Sequence, residues 1–288
     1  MMNPRKALPL LLAFAPILLA AAPAKQAKGF GEWLRFHKTP KADELQVAIG
    51  QFKHPKTGVQ VDLVGAIHIG DRAYYQELNK RFGKYDAVLF ELVADPKRAR
   101  NPRGPNKSPV NFMQRSMQRF LNLDFQLDTI NYNRPHFIHA DMDPKTFAKR
   151  QRARGESMFN LMWKIMQQEM ARAKKGQPVD EITPGELLIA LFSKNRALEM
   201  KRLLGANMAA IENTISTLEA GDGTVILTER NQVALKVLKK TLGDSKYKKI
   251  AIFYGAAHMP DMARRLEKEF GFRAIGSQWL PAWHMPRP

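Results

Sequence analysis

Two histidines in this chain, His68 and His258, each stand three residues after a glycine, in Gly65-Ala66-Ile67-His68 and Gly255-Ala256-Ala257-His258. An imidazole changes charge near neutral pH, so it can move protons or hold a metal ion. Glu91 is a lone carboxylate in the apolar run Val88-Leu89-Phe90-Glu91-Leu92-Val93. Burying it without a partner would be costly, so a partner is expected. His68, Glu91 and His258 have the donor chemistry of a hydrolytic zinc, manganese or cobalt site. The same three groups serve a metal-free general acid/base set. A single histidine in such a place is more often structural; finding the motif twice lifts the functional reading above that one.

The elements needed to bring these groups together can be read from hydrophobic periodicity. Residues 45–52 alternate apolar and polar, Pro55 and Gly58 supply a turn, and residues 59–67 are rich in β-branched side chains, so a hairpin leads into a buried strand. Residues 71–82 carry Tyr74, Tyr75, Leu78 and Phe82 at helical spacing, and residues 87–93 form the next apolar strand. The same order recurs near the end of the chain: a strand at 250–254, the second Gly-Ala-x-His, a helix with Met262, Leu266 and Phe270, and a strand at 272–277. The expected fold class is therefore α/β, with two βαβ-type pseudo-repeats forming one mixed, largely parallel sheet flanked by helices. In such a sheet ligands bind beyond the carboxyl ends of the strands, where both histidines fall. Pairing the Glu91 strand with the His68 strand would put the carboxylate on the same rim.

Between the repeats, residues 144–222 read as a mainly helical insertion. Asp143-Pro144 suits a helix start. Met158, Met162, Ile165, Met166 and Met170 form one apolar stripe, and Leu204, Met208, Ile211, Ile215 and Leu218 form another; both read as core packing. His139 and Asp141 follow a short strand candidate at 137–140 and can line the crevice as further ligands, a helix cap being the commoner role for Asp141. The Pro-, Gly- and Arg-rich stretch at 98–107 reads as a surface loop.

Composition bounds the partners. The 288 residues carry 46 Lys and Arg against 27 Asp and Glu, a formal net charge of +19, and contain no cysteine. Disulfides, thiolate metal sites and thiol nucleophiles are excluded, and anionic partners are favoured. Arg5 and Lys6 precede an apolar stretch that ends in small residues, which reads as a signal peptide over residues 1–24 with a single domain over 25–288. A periplasmic or secreted protein is expected, with no stable transmembrane anchor after cleavage, a possible anionic envelope component as partner, and no nucleic acid. There is no His-Glu-x-x-His pair, Gly-x-Ser-x-Gly elbow, Walker loop or Gly-x-Gly-x-x-Gly fingerprint.

Taken together, Val64-Gly65-Ala66-Ile67-His68, Phe90-Glu91-Leu92, Glu229-Arg230-Asn231 and Gly255-Ala256-Ala257-His258-Met259 resemble the TraB/PrgY/GumN family, which includes the TIKI proteins. The resemblance is strongest over residues 59–93 and 224–280. It implies the fold shared with erythromycin esterase and ChaN-like proteins, and a metal-dependent hydrolase of peptide or protein substrates, with manganese, cobalt or zinc as the divalent metal. It puts His68, Glu91 and His258 in the metal site, and Glu91, Arg230 and Glu229 in the catalytic set, Arg230 offering a cation to a carboxylate or oxyanion. The plainer alternatives are a structural Glu91–Arg230 ion pair and a surface role for Glu229-Arg230. ChaN-like relatives imply a different alternative, a non-catalytic envelope protein that binds haem or another ligand. Met259-Pro260-Asp261 departs from the family pattern and reshapes the second rim.

Overall fold

The computed structural model describes residues 32–97, 99, 120–156, 182–219 and 223–287, together with residues 160, 163 and 167. The expected leader at 1–24, the methionine stripe and all but Ala99 of the 98–107 loop lie outside the described residues, as do the side chains of Ile211, Ile215 and Leu218.

The chain begins with β1 (Leu34–Lys38), β2 (Ala42–Lys53) and β3 (Gln60–Ala66). Gly58 closes the β2–β3 turn with a left-handed φ of 71°, its N–H donating to the His54 carbonyl at 2.9 Å. After β3 come the two-residue strand β4 (Ile69–Gly70), α1 (Arg72–Phe82) and β5 (Ala87–Phe90). Helix α1 turns Tyr74, Tyr75, Leu78 and Phe82 inward, the residues its periodicity marks. Next are β6 (Asp124–Phe125), which pairs with β4, the single turn α2 (Gln126–Thr129) and β7 (Phe137–His139). Helix α3 (Pro144–Ala153) starts where the acid and proline predict: the Asp143 carboxylate accepts from Lys145 N at 2.9 Å and Thr146 N at 3.0 Å. Helices α4 (Pro184–Phe192) and α5 (Arg196–Glu219) follow. A π-helical turn, Val225–Glu229, leads into α6 (Arg230–Leu242). The chain finishes with β8 (Lys249–Gly255), a 3₁₀ turn over Ala256–His258, α7 (Met259–Phe270) and β9 (Arg273–Pro286).

These strands build one mixed, mostly parallel seven-stranded sheet flanked by helices. Four strands, in the order β3-β8-β5-β7, run parallel. At the β3 end β2 turns the sheet antiparallel. β9 follows the length of one β2 edge, while β1 and β3 share the other. Helix α5 packs over β1, β2 and β9, and Gly205 lets it approach closely: a Cβ there would stand 3.1 Å from the Phe36 ring. Trp283, wholly buried, anchors β9 through an indole N–H to the Ile69 carbonyl at 2.8 Å.

Three details differ from the sequence reading. β5 does not pair with the His68 strand, because β8 lies between β3 and β5. Ile250 to Tyr254 are all at most 1% exposed, and a strand this apolar gains most in the middle of the sheet, filling the gap that the β3-α1-β5 crossover leaves. The second apolar strand ends at Phe90, one residue before Glu91. The last strand is 14 residues long and continues to Pro286. Among the described residues it pairs with β2 alone, so Pro281 sits on an edge, where its missing N–H costs little.

Candidate active site

Register decides whether the three groups meet. Ala66 pairs with Gly255 across β3 and β8, and Phe90 pairs with Phe253 across β8 and β5. Glu91 therefore leaves the sheet one residue after β5, His68 two residues after β3 and His258 three residues after β8, all from the carboxyl ends of adjacent parallel strands. The two motifs are staggered by one residue, since Gly65 faces Tyr254 and Gly255 faces Ala66.

Glu91 is held on every side. Its N–H donates to the Phe253 carbonyl at 3.0 Å, extending the ladder past the strand. Oε2 accepts the Gly255 N–H at 2.6 Å, and Oε1 accepts Arg230 Nη2 at 2.5 Å. Arg230 turns the rest of its fork to Asp141, from Nε at 2.9 Å and Nη2 at 2.6 Å, and Nη1 donates to the Ile226 carbonyl at 3.2 Å. The Asp141 side chain is fully buried and those of Arg230 and Glu91 nearly so. Burial alone would push the Glu91 carboxyl up. The Arg230 guanidinium, then the His258 and His68 imidazoles, outweigh burial and hold it well below the usual carboxylate range. Burial acts to lower the Arg230 pKa, but Glu91 and Asp141 raise it further, so the guanidinium stays charged.

His258 is oriented by an amide. Its Nδ1 lies 2.6 Å from Asn231 Oδ1, while Asn231 Nδ2 donates to Asp261 Oδ2 at 3.0 Å. The carboxylate takes the amide N–H, so the amide oxygen must accept and Nδ1 carries the proton. The remaining ring nitrogen, Nε2, faces Glu91 Oε1 at 3.5 Å. Tyr254 backs the ring edge-on with centroids 5.1 Å apart, and its hydroxyl donates to the Ala140 carbonyl. Beside Arg230 a cavity of about 430 Å³ opens between α3 and the π-helical turn, with Phe147, Ala148, Gln151 and Ile226 among its lining.

The other nominated residues fall as follows. His68 lies on the rim and is exposed, its carbonyl accepting the Gln126 N–H at 2.9 Å. Glu229 turns to α3, where Arg150 and Arg154 approach its carboxylate at 3.5 and 3.4 Å, so the structure does not bring it to Glu91. His139 is tied through Nε2 to the Leu92 carbonyl at 2.6 Å. Asp141 does not cap a helix; it is the second anion of Arg230. Asn231 and Asp261 were not singled out as site residues. Their signal was placement: Asn231 directly follows Arg230, and Asp261 lies one helical turn beyond His258.

Among the described residues, no three His, Asp or Glu side chains converge as a metal-ligand set. Glu91 Oε1 accepts from a guanidinium and Oε2 from a backbone N–H, so in this arrangement both oxygens are engaged by N–H donors rather than turned toward a metal ion. The groups present do not fit the manganese, cobalt or zinc centre that the resemblance implies.

No family model and no curated protein matches the chain. The likeness to TraB/PrgY/GumN proteins thus stands on its motifs alone.

Proposed function

We propose that this protein is an exported hydrolase of the TraB/GumN type that cleaves peptide bonds by acid/base chemistry at the rim of β3, β8 and β5. The observation that carries this reading is the Glu91–His258 pair. It combines a carboxylate kept ionised with an imidazole whose Nδ1–H is fixed on Asn231, which leaves Nε2 as the basic site. Nε2 takes a proton from water as the water oxygen attacks the carbonyl carbon, and the Glu91 charge stabilises the imidazolium that forms. When the C–N bond breaks, the leaving amine takes a proton from the His68 imidazolium, which is exposed just beyond β3; His258 then gives its proton to solvent and His68 regains one from it, which closes the cycle. Arg230 is a positioning residue: with a carboxylate on each side, its charge is spent on holding Glu91.

The test is turnover of a peptide library by the wild type, His258→Ala and His68→Ala, with chelator and with added Mn²⁺, Co²⁺ or Zn²⁺. Loss of His258 should lower turnover by about 10²–10⁴-fold with chelator present. Two folded variants that keep full turnover would sink the reading. Turnover that returns only with a metal would replace it with the metal-dependent peptidase, and a haem absorption band without turnover would replace it with a ligand-binding protein of the ChaN-like kind.

A further inference from the structure

Beyond its first turn, helix α4 is apolar on all sides although it lies at the surface. Its sequence from Leu187 to Phe192 contains no polar residue. Ala190 is buried and Leu187 packs against the core, while Leu188, Ile189 and Phe192 are 54, 73 and 81% exposed. With Gly185 they stand at i, i+3, i+4 and i+7, so they form one outward stripe. A helix of this composition is normally covered. The fold secures it nonetheless: Thr183 and Glu186 form a reciprocal capping box at its start, and α5 packs against it. Exposed Lys194 and Arg196 follow directly after its end.

We propose that the α4 stripe is a docking surface for an anionic lipid bilayer, into whose interface Leu188, Ile189 and Phe192 insert while Lys194 and Arg196 meet the headgroups. Charge decides between this occupant and a second copy of the chain. Two copies meeting at α4 would bring together molecules that each carry a formal +19, whereas an anionic surface attracts both the basic pair and the whole molecule. Contact is peripheral, because nine residues of helix reach only about 14 Å, roughly half of a hydrocarbon core. Among the described residues, no helix is long and apolar enough to cross a membrane. An apolar stripe beside basic residues is the make-up of a helix that lies in the interface.

The experiment is co-sedimentation of the full chain with vesicles of phosphatidylcholine alone and of an equal mixture with phosphatidylglycerol, at low and high salt, beside size-exclusion chromatography. The wild type should bind the mixed vesicles, more weakly at high salt. L188S/I189S/F192S should lose about tenfold or more of that binding with an unchanged circular dichroism spectrum. K194E/R196E should weaken binding to mixed vesicles and leave the response to neutral ones alone. Absence of binding to the mixed vesicles, or equal binding by the triple variant, would overturn the proposal. So would a dimer of the wild type that the triple variant dissolves while neither binds lipid, which would assign the stripe to a second copy.

Discussion

The two Gly-Ala-x-His motifs leave adjacent strands at nearly the same height, yet His258 is 3% exposed and His68 is exposed. The difference arises in the next few residues. After Gly255 the chain enters a 3₁₀ turn and passes straight into α7, which draws His258 down beside Asn231 and Asp261. After Gly65 it first makes β4, whose pairing with β6 carries the chain away before α1 begins. The glycines differ as well. A Cβ at Gly65 would stand 2.9 Å from Val47 Cγ1 and 3.1 Å from the Ala48 carbonyl oxygen, so β2 needs that position bare. At Gly255 the nearest atom would be Glu91 Oε2 at 3.4 Å, and what the site uses is the backbone N–H. One motif thus supplies a buried imidazole fixed on Asn231 and the other an exposed one, a difference that the proposed base and acid would use.

The fixed side should be the more costly to disturb. Arg230→Met strands Glu91 and Asp141 as buried anions, and denaturant titration should show a loss of about 3–5 kcal/mol. Because the folded-state pKa of Glu91 is lowered, its ionisation stabilises the fold fully above the unfolded carboxylate value of about 4.3 and progressively less as pH falls below it. Glu91→Gln should therefore flatten the acid limb of a stability–pH curve relative to wild type. An unchanged limb would mean that the Arg230 pair does not hold this carboxylate.

Most of this comparison was visible in the sequence, though not its asymmetry. β-branched runs, the Tyr74–Phe82 spacing and the Asp143-Pro144 start announced the sheet and its helices, because period and capping are local properties. Strand order was missed at β8, since whether Ile250–Tyr254 joins an edge or splits β3 from β5 depends on burial summed over the whole sheet. Glu91 needing a partner followed from the cost of desolvation. That Asp141 would share the partner, and that Asn231 would set the His258 tautomer, depends on contacts across 89 and 27 residues of chain. Such contacts leave no periodic trace.

The glycines give the next, smaller contrast. Gly65→Ala should destabilise by about 1–3 kcal/mol through overpacking against β2, and Gly255→Ala, where the new methyl meets ordinary contact distances, by less than about 1 kcal/mol. Thermal melts of the pair read this directly, and equal losses would mean that β2 yields at Ala48.

The histidines themselves make the finest distinction. His258→Ala leaves the Asn231 amide oxygen buried without its donor and should cost about 1–3 kcal/mol. His68→Ala removes an exposed ring and should stay within about 0.5 kcal/mol, because the bond from Gln126 N to its carbonyl is a backbone bond that alanine keeps. Loss of turnover with unchanged stability at position 68, measured on the same preparation, separates a working imidazole from a structural one. A His68→Ala protein that melts as early as His258→Ala would show the ring packed in the fold, and the two motifs would then be alike in role as well as in sequence.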